Sequence, residues 1–330
     1  MRLIAPIYNN SLPFVFLPAY ADFICSSKNE WVEIIEGEDF IVPIRLTKIG
    51  PYVSGQLLFY PVRKNGENIT AEEEKVFWEE VLLFLDKEKV CIRLTAPSTY
   101  FCCKAYPSKS KYCAFGDYEI YMADMDIADL FKAIHPKHRN VIRNAEKNGV
   151  VIKYGKDILK DFYAIYESTM HREKKFCDTY DFFNGMFDSL GENNIVCGVA
   201  YYMDKPLGGL FMPYTLYGGH YLYGASAERV EVTGAINFLH WTTIQLLKKK
   251  MVKRYSFSGA RLSNIAGTKY EGIQKFKMRF GGNLNEGYLW KTDVNPLKCI
   301  LLNNMLNVKF ALRNHKPALD IIDRENDKIQ

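Results

Sequence analysis

Three apolar runs follow one another in IVCGVAYYMDKPLGGLFMPYTLYGGHYLYGA, residues 195–225. Each run is rich in β-branched and aromatic residues, which favour buried strands. Asp204–Lys205–Pro206 lies between the first and second runs, and Gly218–Gly219 lies between the second and third. Because such residues are typical of turns, the stretch predicts an antiparallel meander of three strands.

Helices and single strands are predicted on both sides of the meander. HPKHRNVIRNAEKNGV (135–150) predicts a helix, since Pro136 fits a first turn and Gly149 fits a stop. The other predicted elements are a strand at VVIKYG, helices over 157–173 and 180–190, a helix over 235–250, a strand at VKRYSFSG, a helix over 272–282 and a strand at NEGYLWK. After the helix at 135–150, the predicted order is therefore β-α-α-β-β-β-α-β-α-β.

The first 125 residues show a fainter version of the same order. Strands are predicted at WVEIIEG, DFIVPIRLTK and VSGQLLFY, followed by a helix at EEEKVFWEEVLLFLDK and strands at KVCIRLT and DYEIYMAD. A chain of 330 residues is long enough for two domains of roughly 150 residues each. We therefore predict a first domain over 1–125, completed by a C-terminal segment over about 292–330, and a second domain over 126–291.

The bulk composition argues against several classes of protein. The net charge of +5 is compatible with an anionic ligand but does not require nucleic acid. The eight cysteines form no CxxC pair and no local zinc-ligand spacing, so we expect reduced thiols and no metal. The apolar N-terminus is broken by Pro6, Pro13 and Pro18, and no apolar run approaches the roughly 18 residues of a membrane span. We therefore expect no signal peptide, no transmembrane segment and a cytoplasmic location.

The order of elements after residue 150 resembles that of the GNAT acyltransferase fold. Four patches also resemble one family built on that fold, namely HRNVIRNAEKNGV (138–150), YLYGAS (221–226), YSFSGA (255–260) and GIQKFKMRFGG (272–282). Together they are similar to the Fem family (FemABX-like) of peptidoglycan bridge-forming aminoacyl transferases. PIRLTKIGPY (43–52) and QLLFYP (56–61) are similar to the first domain of its short members, which lack the helical arm of larger Fem proteins. The resemblance implies an α/β (α+β) fold of two tandem GNAT-like domains, each a mixed, mainly antiparallel sheet flanked by helices.

The resemblance also implies a reaction and a catalytic residue. In the Fem family an aminoacyl-tRNA supplies an activated ester, and an amine of a cell-wall precursor peptide attacks it. The lysine of the family's FK-x-x-F motif stabilises charge at the reacting centre, and its match here is Lys277. Phe276 and Phe280 share one helix face beside it, so we expect a buried stem and an amine that faces a cleft between the domains. The alternative is a surface lysine without a chemical role.

Candidate contacts to the acceptor come from both predicted domains. From the first domain we expect Lys48, Tyr52 and Gln56 to hold the precursor. Tyr221 and Tyr223 alternate along one predicted strand and so share a face, which either lines the groove or packs in the core. The remaining acceptor candidates are Tyr255, Ser258 and Phe276, of which Phe276 also fits a place in the core.

The donor is expected near the start of the helix at 235–250, because a helix N-terminus attracts anions. A coenzyme A-dependent GNAT would show [QR]-x-x-G-x-[GA] there, and only Gly234–Ala235 of that pattern is present. This departure favours a donor other than acetyl-CoA. Arg139 and Arg143 lie on one face of the helix at 135–150, where they either contact donor phosphates or form a solvated charged face.

The sequence therefore predicts a tandem-GNAT acyltransferase that holds no permanent cofactor and uses aminoacyl-tRNA as co-substrate. Its partners would be tRNA and a cell-wall or surface-polysaccharide precursor, and a monomer would suffice for activity. No protein base is indicated, since the periodicity forces neither Glu271 nor Glu286 inward. Two alternatives remain open, namely an acyl-CoA-dependent N-acyltransferase acting on a nucleotide sugar or polysaccharide precursor, and a non-catalytic scaffold with the same fold.

Overall fold

The computed structural model describes residues 1–25, 27–67, 69–229, 231–312 and 320–327. Within these ranges, strands and helices alternate along the chain in two similar series. The strands are β1 (Arg2–Ile4), β2 (Glu30–Glu36), β3 (Phe40–Ile49), β4 (Tyr52–Leu57), β5 (Val62–Arg63), β6 (Arg93–Thr95), β7 (Lys111–Tyr121), β8 (Val151–Tyr154), β9 (Ile195–Tyr202), β10 (Lys205–Pro213), β11 (Gly219–His220), β12 (Tyr223–Ser226), β13 (Arg254–Arg261) and β14 (Asn283–Asp293).

The helices pack on these strands, and a 3-10 turn over Phe14–Phe16 precedes the first of them. They are α1 (Pro18–Ile24), α2 (Ala71–Lys87), α3 (Ile127–Ala133), α4 (Pro136–Lys147), α5 (Leu159–Arg172), α6 (Tyr180–Leu190), α7 (Ala235–Lys249), α8 (Lys269–Arg279), α9 (Pro296–Leu312) and α10 (Ile321–Asp327).

Local sequence signals set several helix boundaries. Thr70 begins α2 with a capping box, in which its hydroxyl accepts a hydrogen bond from the Glu73 amide at 3.2 Å. The Glu73 carboxylate accepts in return from the Thr70 amide at 2.9 Å. Pro136 occupies the first turn of α4, and Gly149 follows its end with a φ of +80°. The predicted helix at 135–150 is therefore confirmed for the reasons given by its terminal residues.

The strands described above form two sheets. One contains ten strands in the order β1-β2-β3-β4-β6-β14-β7-β13-β11, with β5 paired to β3. The other has the order β12-β10-β9-β8 and contains the predicted antiparallel meander. Only the β4–β6 and β11–β13 pairs are parallel among the described strands. This mixed, mainly antiparallel architecture with flanking helices confirms the predicted fold class.

The large sheet interleaves strands from the two series. β14 comes late in the chain but pairs with both β6 and β7 of the first series. β7 in turn pairs with β13 of the second series. Strands from both sides of the predicted boundary at residue 125 therefore belong to one sheet. The division into two domains stays a prediction. Its C-terminal part includes 313–319 and 328–330, which lie outside the described residues.

Apolar clusters on the faces of these sheets also connect the two series. One buried cluster packs Phe59 of the first series with Tyr217 of the second, with ring centres 6.0 Å apart, and also contains Phe162 and Phe211. A second cluster packs α4 and α7 against the four-stranded sheet and β13. Because these contacts bury large aromatic side chains from distant parts of the chain, they hold the two sheets in a fixed relation.

Candidate active site

The third strand of the predicted meander is divided into two short strands that belong to different sheets. β11 pairs in parallel with β13, whereas β12 pairs antiparallel with β10. The chain crosses between the sheets at Tyr221 and Leu222. The two sheets therefore separate at this point, beside the middle of β13.

β13 contains a bulge at the same level. Its pairing with β7 shifts register between Ser256 and Gly259. Ser258 lies in the left-handed region with a φ of +59°, and its hydroxyl donates a 2.7 Å hydrogen bond to the Tyr221 carbonyl oxygen. The bulge thereby fixes the crossing segment and takes Phe257 and Ser258 out of the regular pairing with β7, which resumes at Gly259.

Lys277 reaches this bulge from α8. Its side chain is buried, with 7% of the residue exposed. Its Nζ donates hydrogen bonds to the carbonyl oxygens of Ser258 at 3.0 Å and Gly259 at 2.7 Å. A lysine ammonium has three donors, so one remains after these two contacts. Burial lowers the pKa of Lys277 to about 8, while the nearby Asp117 carboxylate acts in the opposite direction.

A cavity of about 350 Å³ lies on the neighbouring strands. Asp117 and Glu119, two residues apart on β7, are part of its wall, and Asn285 of β14 donates to Asp117 Oδ1 at 2.9 Å. The other lining residues are Tyr60, Ala71, Cys102, Lys104 and Glu286. The cavity is therefore polar and lies at the junction of the two series of elements.

Asp117 and Glu119 hold their protons more tightly than usual. Burial raises the pKa of Asp117 to about 6, against the lowering effect of the Asn285 hydrogen bond and Lys277. Burial, with a contribution from Asp117, raises the pKa of Glu119 to about 7. Groups with pKa values near neutrality can exchange protons with a reactant at physiological pH.

Arg254 and two tyrosines extend this polar region behind Glu119. Arg254 Nε is 3.5 Å from Glu119 Oε1, and its guanidinium lies 4.2 Å from the centre of the Tyr217 ring. The hydroxyls of Tyr217 and Tyr60 are 3.0 Å apart, which connects this group to the cavity wall. His220 is also buried here, and burial lowers its pKa to about 3, so its ring is neutral.

The N-terminus of α7, where the donor is predicted, is packed against α4. Gly234 caps the helix with a φ of +94°, and a Cβ at this position would lie 2.2 Å from the Val141 carbonyl oxygen of α4. Asn144 of α4 donates to the Thr233 carbonyl oxygen at 3.3 Å. Ala235 is fully buried. Gly234 is thus needed for the close approach of the two helices, whatever its role toward a donor.

The two predicted donor arginines make local contacts with α3. Arg139 donates to the Lys132 carbonyl oxygen at 3.4 Å. The Arg143 guanidinium lies 5.2 Å from the centre of the Phe131 ring, within the range of a cation–π contact. Arg143 nevertheless stays exposed, so its contribution to donor binding remains a prediction.

The acceptor candidates of the first domain are spread along one hairpin. Gln56 lines a smaller cavity of about 140 Å³ together with Tyr223. Tyr52 lies on the same strand, four residues before Gln56, but it packs under α9 beside Cys299 and Leu302. Lys48 is exposed opposite Val53. Only Gln56 of these three is thus brought next to a candidate from the second domain.

Other acceptor candidates lie within apolar clusters. Phe276 packs against Phe280 and His138, with ring centres 5.1 and 5.3 Å apart. Tyr255 is fully buried, and its hydroxyl is 2.6 Å from His240 Nδ1. These side chains support α8 and β13 from the core, and their contact with a substrate is untested.

The expectation that Tyr221 and Tyr223 share a face is wrong. Tyr221 packs with the cluster around His240, at 4.7 Å between ring centres, whereas Tyr223 packs with Phe183 at 5.0 Å. The reason is the crossing between β11 and β12, which breaks the alternation that a continuous strand would impose.

Asp117, Glu119 and Arg254 are not among the site residues predicted from the sequence. A signal for the acidic pair was present in FGDYEIY, where two acids alternate with apolar residues on a strand flanked by apolar runs. Acids on the inward face of such a strand are costly unless they have partners or a function. Arg254 carried no comparable signal, because its partner Glu119 is far away in the sequence.

The mixed sheet and its separated strands give this chain a GNAT-like fold. Residues 114–207 match the family model described as the FemAB family. The crystal structure of FemX aligns with 92% of this chain and 100% of its own, with a TM-score of 0.67 and 12% sequence identity. The Fem-family resemblance predicted from the sequence is therefore confirmed.

Two further solved structures share this fold. The C-terminal domain of a candidate lysylphosphatidylglycerol synthetase from Agrobacterium fabrum covers 84% of this chain and 89% of its own, with a TM-score of 0.52 and 13% identity. L-PGS from Bacillus licheniformis covers 86% of this chain and 90% of its own, with a TM-score of 0.50 and 13% identity. No curated protein matches the sequence. At these identities the likeness establishes the fold and not the substrates.

Proposed function

We propose that this protein is an acyltransferase that joins an aminoacyl group from aminoacyl-tRNA to an amine of a cell-wall or surface-polysaccharide precursor. The observation that carries the proposal is the buried Lys277 amine at the β13 bulge, near enough to Asp117 of the polar cavity wall for their charges to interact, although Lys277 itself does not line the cavity. The Fem-family resemblance supports the class of reaction. The reacting groups would meet at the junction where the strands of the two series interleave.

Lys277 would offset the negative charge that develops during acyl transfer. Attack of an amine on an activated ester forms a tetrahedral intermediate with an oxyanion, and a fixed cation in a desolvated site stabilises it. The two carbonyl contacts of Lys277 hold its amine in place. Its remaining N–H and its charge are then oriented before the substrates arrive, which avoids reorganisation during the reaction.

Asp117 or Glu119 would accept the proton that the attacking amine loses. The amine becomes an amide nitrogen, so one proton must leave it, and the tRNA 3′-oxygen leaves with the electrons of the ester bond. A carboxylate with a pKa raised to about 6 or about 7 is a stronger base than an ordinary one. The residues therefore supply both a cation for the intermediate and an acceptor for the proton.

The packing at α7 supports a donor other than acyl-CoA. Phosphates of coenzyme A would bind the amides of a helix N-terminus, which needs an open approach. Here the α4 backbone lies so close to Gly234 that even one added carbon would overlap the Val141 carbonyl oxygen. The sequence also lacks the glycine pattern of the coenzyme A site.

A transfer assay with two donors tests this proposal. The full chain is incubated with a nucleotide-linked cell-wall peptide precursor and either total aminoacyl-tRNA or acetyl-CoA, and the precursor is analysed by mass spectrometry. We expect the mass to increase by one aminoacyl residue with the charged tRNA and to stay unchanged with acetyl-CoA. Acetylation of the precursor would instead support the acyl-CoA-dependent alternative. Absence of transfer from both donors would support the scaffold alternative.

A further inference from the structure

α9 is apolar on both of its long faces. Toward the protein, Cys299, Leu302 and Leu306 pack with Ile49, Tyr52 and Ile92. Away from it, the exposed large apolar residues are Leu297 (76%), Ile300 (54%), Leu301 (56%), Met305 (41%) and Val308 (61%). Polar residues, among them Lys298, Asn303, Asn304 and Asn307, border these two faces, and an apolar helix face is normally buried against another surface. The outer face of α9 therefore lacks a cover among the described residues.

Four of the five exposed residues form one stripe. Leu297, Leu301, Met305 and Val308 follow each other at spacings of four, four and three, which places them on a single helix face. At 1.5 Å per residue, these positions extend over about 16 Å. Isolated exposed apolar side chains need no explanation, but a contiguous stripe of this kind marks a binding surface.

A group of cations borders this stripe. A cavity of about 510 Å³ beside α9 is lined by Pro296 and Asn303, which lie four residues before and three after Ile300, the exposed apolar residue next to the stripe. The basic residues of the same cavity are Arg93, Lys109, Lys111 and Lys291. Lysines and arginines beside an apolar helix face are complementary to an anionic lipid surface.

Two of these cations are already neutralised and two are not. Arg93 Nε is 2.7 Å from Asp293 Oδ1, and Lys291 Nζ is 2.6 Å from carboxylate oxygens of both Asp320 and Asp323. Lys109 and Lys111 are exposed and form no side-chain hydrogen bond or ion pair within the described ranges, and Lys109 acts only through its charge on the Glu79 carboxylate, whose pKa it helps to lower. Their charges are therefore available to an external anion.

We infer that the outer face of α9, together with Lys109 and Lys111, binds an anionic membrane surface. α9 lies in the plane of the interface, with the apolar stripe among the acyl chains near the headgroups and the two lysines at the level of the lipid phosphates. None of the helices in the described ranges is long and apolar enough to span a bilayer, so this contact is peripheral.

This surface is separate from the candidate active site. Lys111 and Asp117 lie six residues apart on β7, which corresponds to about 20 Å along a strand. The inference therefore does not rest on the proposed acyl transfer. The surface would bring the cavity to acceptors presented at a membrane, but binding can be measured without donor or acceptor, so the two proposals can fail separately.

Co-sedimentation of the full chain with lipid vesicles tests the inference. Vesicles of phosphatidylcholine alone are compared with vesicles made of equal parts of phosphatidylcholine and phosphatidylglycerol. We expect at least fivefold more bound protein on the anionic vesicles, and most of this excess should be lost at high salt. Equal or no sedimentation with both vesicle types would overturn the inference.

Two variants assign the binding to this surface. Leu301→Glu should reduce binding at least fivefold, because it places a charge in the stripe, and Lys109→Gln with Lys111→Gln should remove most of the preference for anionic vesicles. Leu83→Glu on α2 is the matched control, since Leu83 is 74% exposed and lies three and four residues after Glu80 and Glu79. This control should bind like the unmodified chain, and circular dichroism verifies that all variants are folded.

A second copy of the chain is the competing occupant of the stripe. Light scattering during size-exclusion chromatography distinguishes it. A monomer that binds anionic vesicles supports the inference. A dimer that Leu301→Glu dissociates, without vesicle binding by the unmodified chain, would overturn it.

Discussion

Burial brings the pKa values of the charged side chains at the strand junction toward neutrality. The pKa of Asp117 and Glu119 is raised, to about 6 and about 7, and that of Lys277 is lowered to about 8. Each shift reflects the cost of removing a charge from water. Asp117 interacts electrostatically with both Lys277 and Glu119, so the group can hold both a cation and a proton acceptor in one narrow pH range.

These shifts predict a bell-shaped pH dependence of kcat/KM for acyl transfer. The proton acceptor must be ionised, so the rate should rise with pH through about 6 to 7. Lys277 must be charged, so the rate should fall as the pH passes about 8. Initial rates measured across this range test the prediction, and a rate that is flat over the whole range would contradict it.

Variants of the two acids identify the acceptor at the residue scale. The two variants are Asp117→Asn and Glu119→Gln. The variant that removes the proton acceptor should lower kcat/KM by about 100-fold or more, the usual contribution of a general base. Asp124→Asn is the matched control, because Asp124 is exposed just beyond the end of β7. If neither variant differs from this control, the proton leaves by another route.

At the residue scale, the sequence predicts that Lys277 is held inward but not what it contacts. Phe276 and Phe280 are four apart, and this local spacing is enough to turn the helix face that carries the lysine stem toward the core. The contacts at Ser258 and Gly259 depend on a bulge in β13 and on its pairing with β7. Such long-range pairings leave no periodic signal in the chain.

At the scale of elements, the close packing of α4 on α7 depends on a glycine. Gly234 combines a φ of +94° with an approach to the Val141 backbone that leaves no room for a Cβ. Gly149 has a similar φ of +80°, but a Cβ there would meet nothing within 4 Å. Alanine substitutions at these two glycines therefore distinguish the cost of backbone strain alone from the cost of strain together with disturbed helix packing.

We expect Gly149→Ala to lower the free energy of unfolding by about 1 kcal/mol, the cost of a left-handed conformation for a residue with a Cβ. Gly234→Ala should cost about 3 kcal/mol, because overpacking adds about 2 kcal/mol to the same strain. Urea denaturation measures both values. Equal costs for the two variants would mean that α4 and α7 adjust without strain.

Elements with strong local signals agree most closely with the structure. The helix predicted over 180–190 is α6 (Tyr180–Leu190), which Thr179 caps through its hydroxyl. β7 (Lys111–Tyr121) begins six residues before the predicted strand DYEIYMAD. Its first residues pair with β14, and no apolar run in the sequence indicates this pairing. The division of the third meander strand likewise follows from tertiary pairing and not from a local break.

At the scale of the whole molecule, the two series of elements are joined by exchanged strands. β7 has β13 on one side and β14 on the other, and both of these come from later in the chain. A sheet edge left without partners exposes unpaired backbone groups. The sequence shows two similar series, but which series supplies the partner of each strand is a property of the assembled fold.

This exchange predicts that the segment 1–125 does not fold alone. Without β13 and β14, both edges of β7 would be unpaired, and β6 would lose its pairing with β14 as well. Circular dichroism and proton NMR of the isolated segment should show an unfolded or aggregated chain, and co-expression with 126–330 should restore a soluble complex. A well-dispersed spectrum from 1–125 alone would instead establish it as an independent domain.

The most direct test of the account is the rate of aminoacyl transfer after replacement of Lys277. Lys277→Met removes the amine but keeps an apolar side chain in the buried position, and near-ultraviolet circular dichroism verifies the fold. Lys275→Ala is the matched control on α8, because Lys275 is exposed and contacts Glu271 at 2.5 Å. We predict that Lys277→Met lowers kcat/KM by about 100-fold or more, as for loss of an oxyanion donor, whereas Lys275→Ala stays within about twofold of the unmodified chain, as expected for an exposed ion pair. Equal rates for the two variants would show that the buried amine has no part in the reaction.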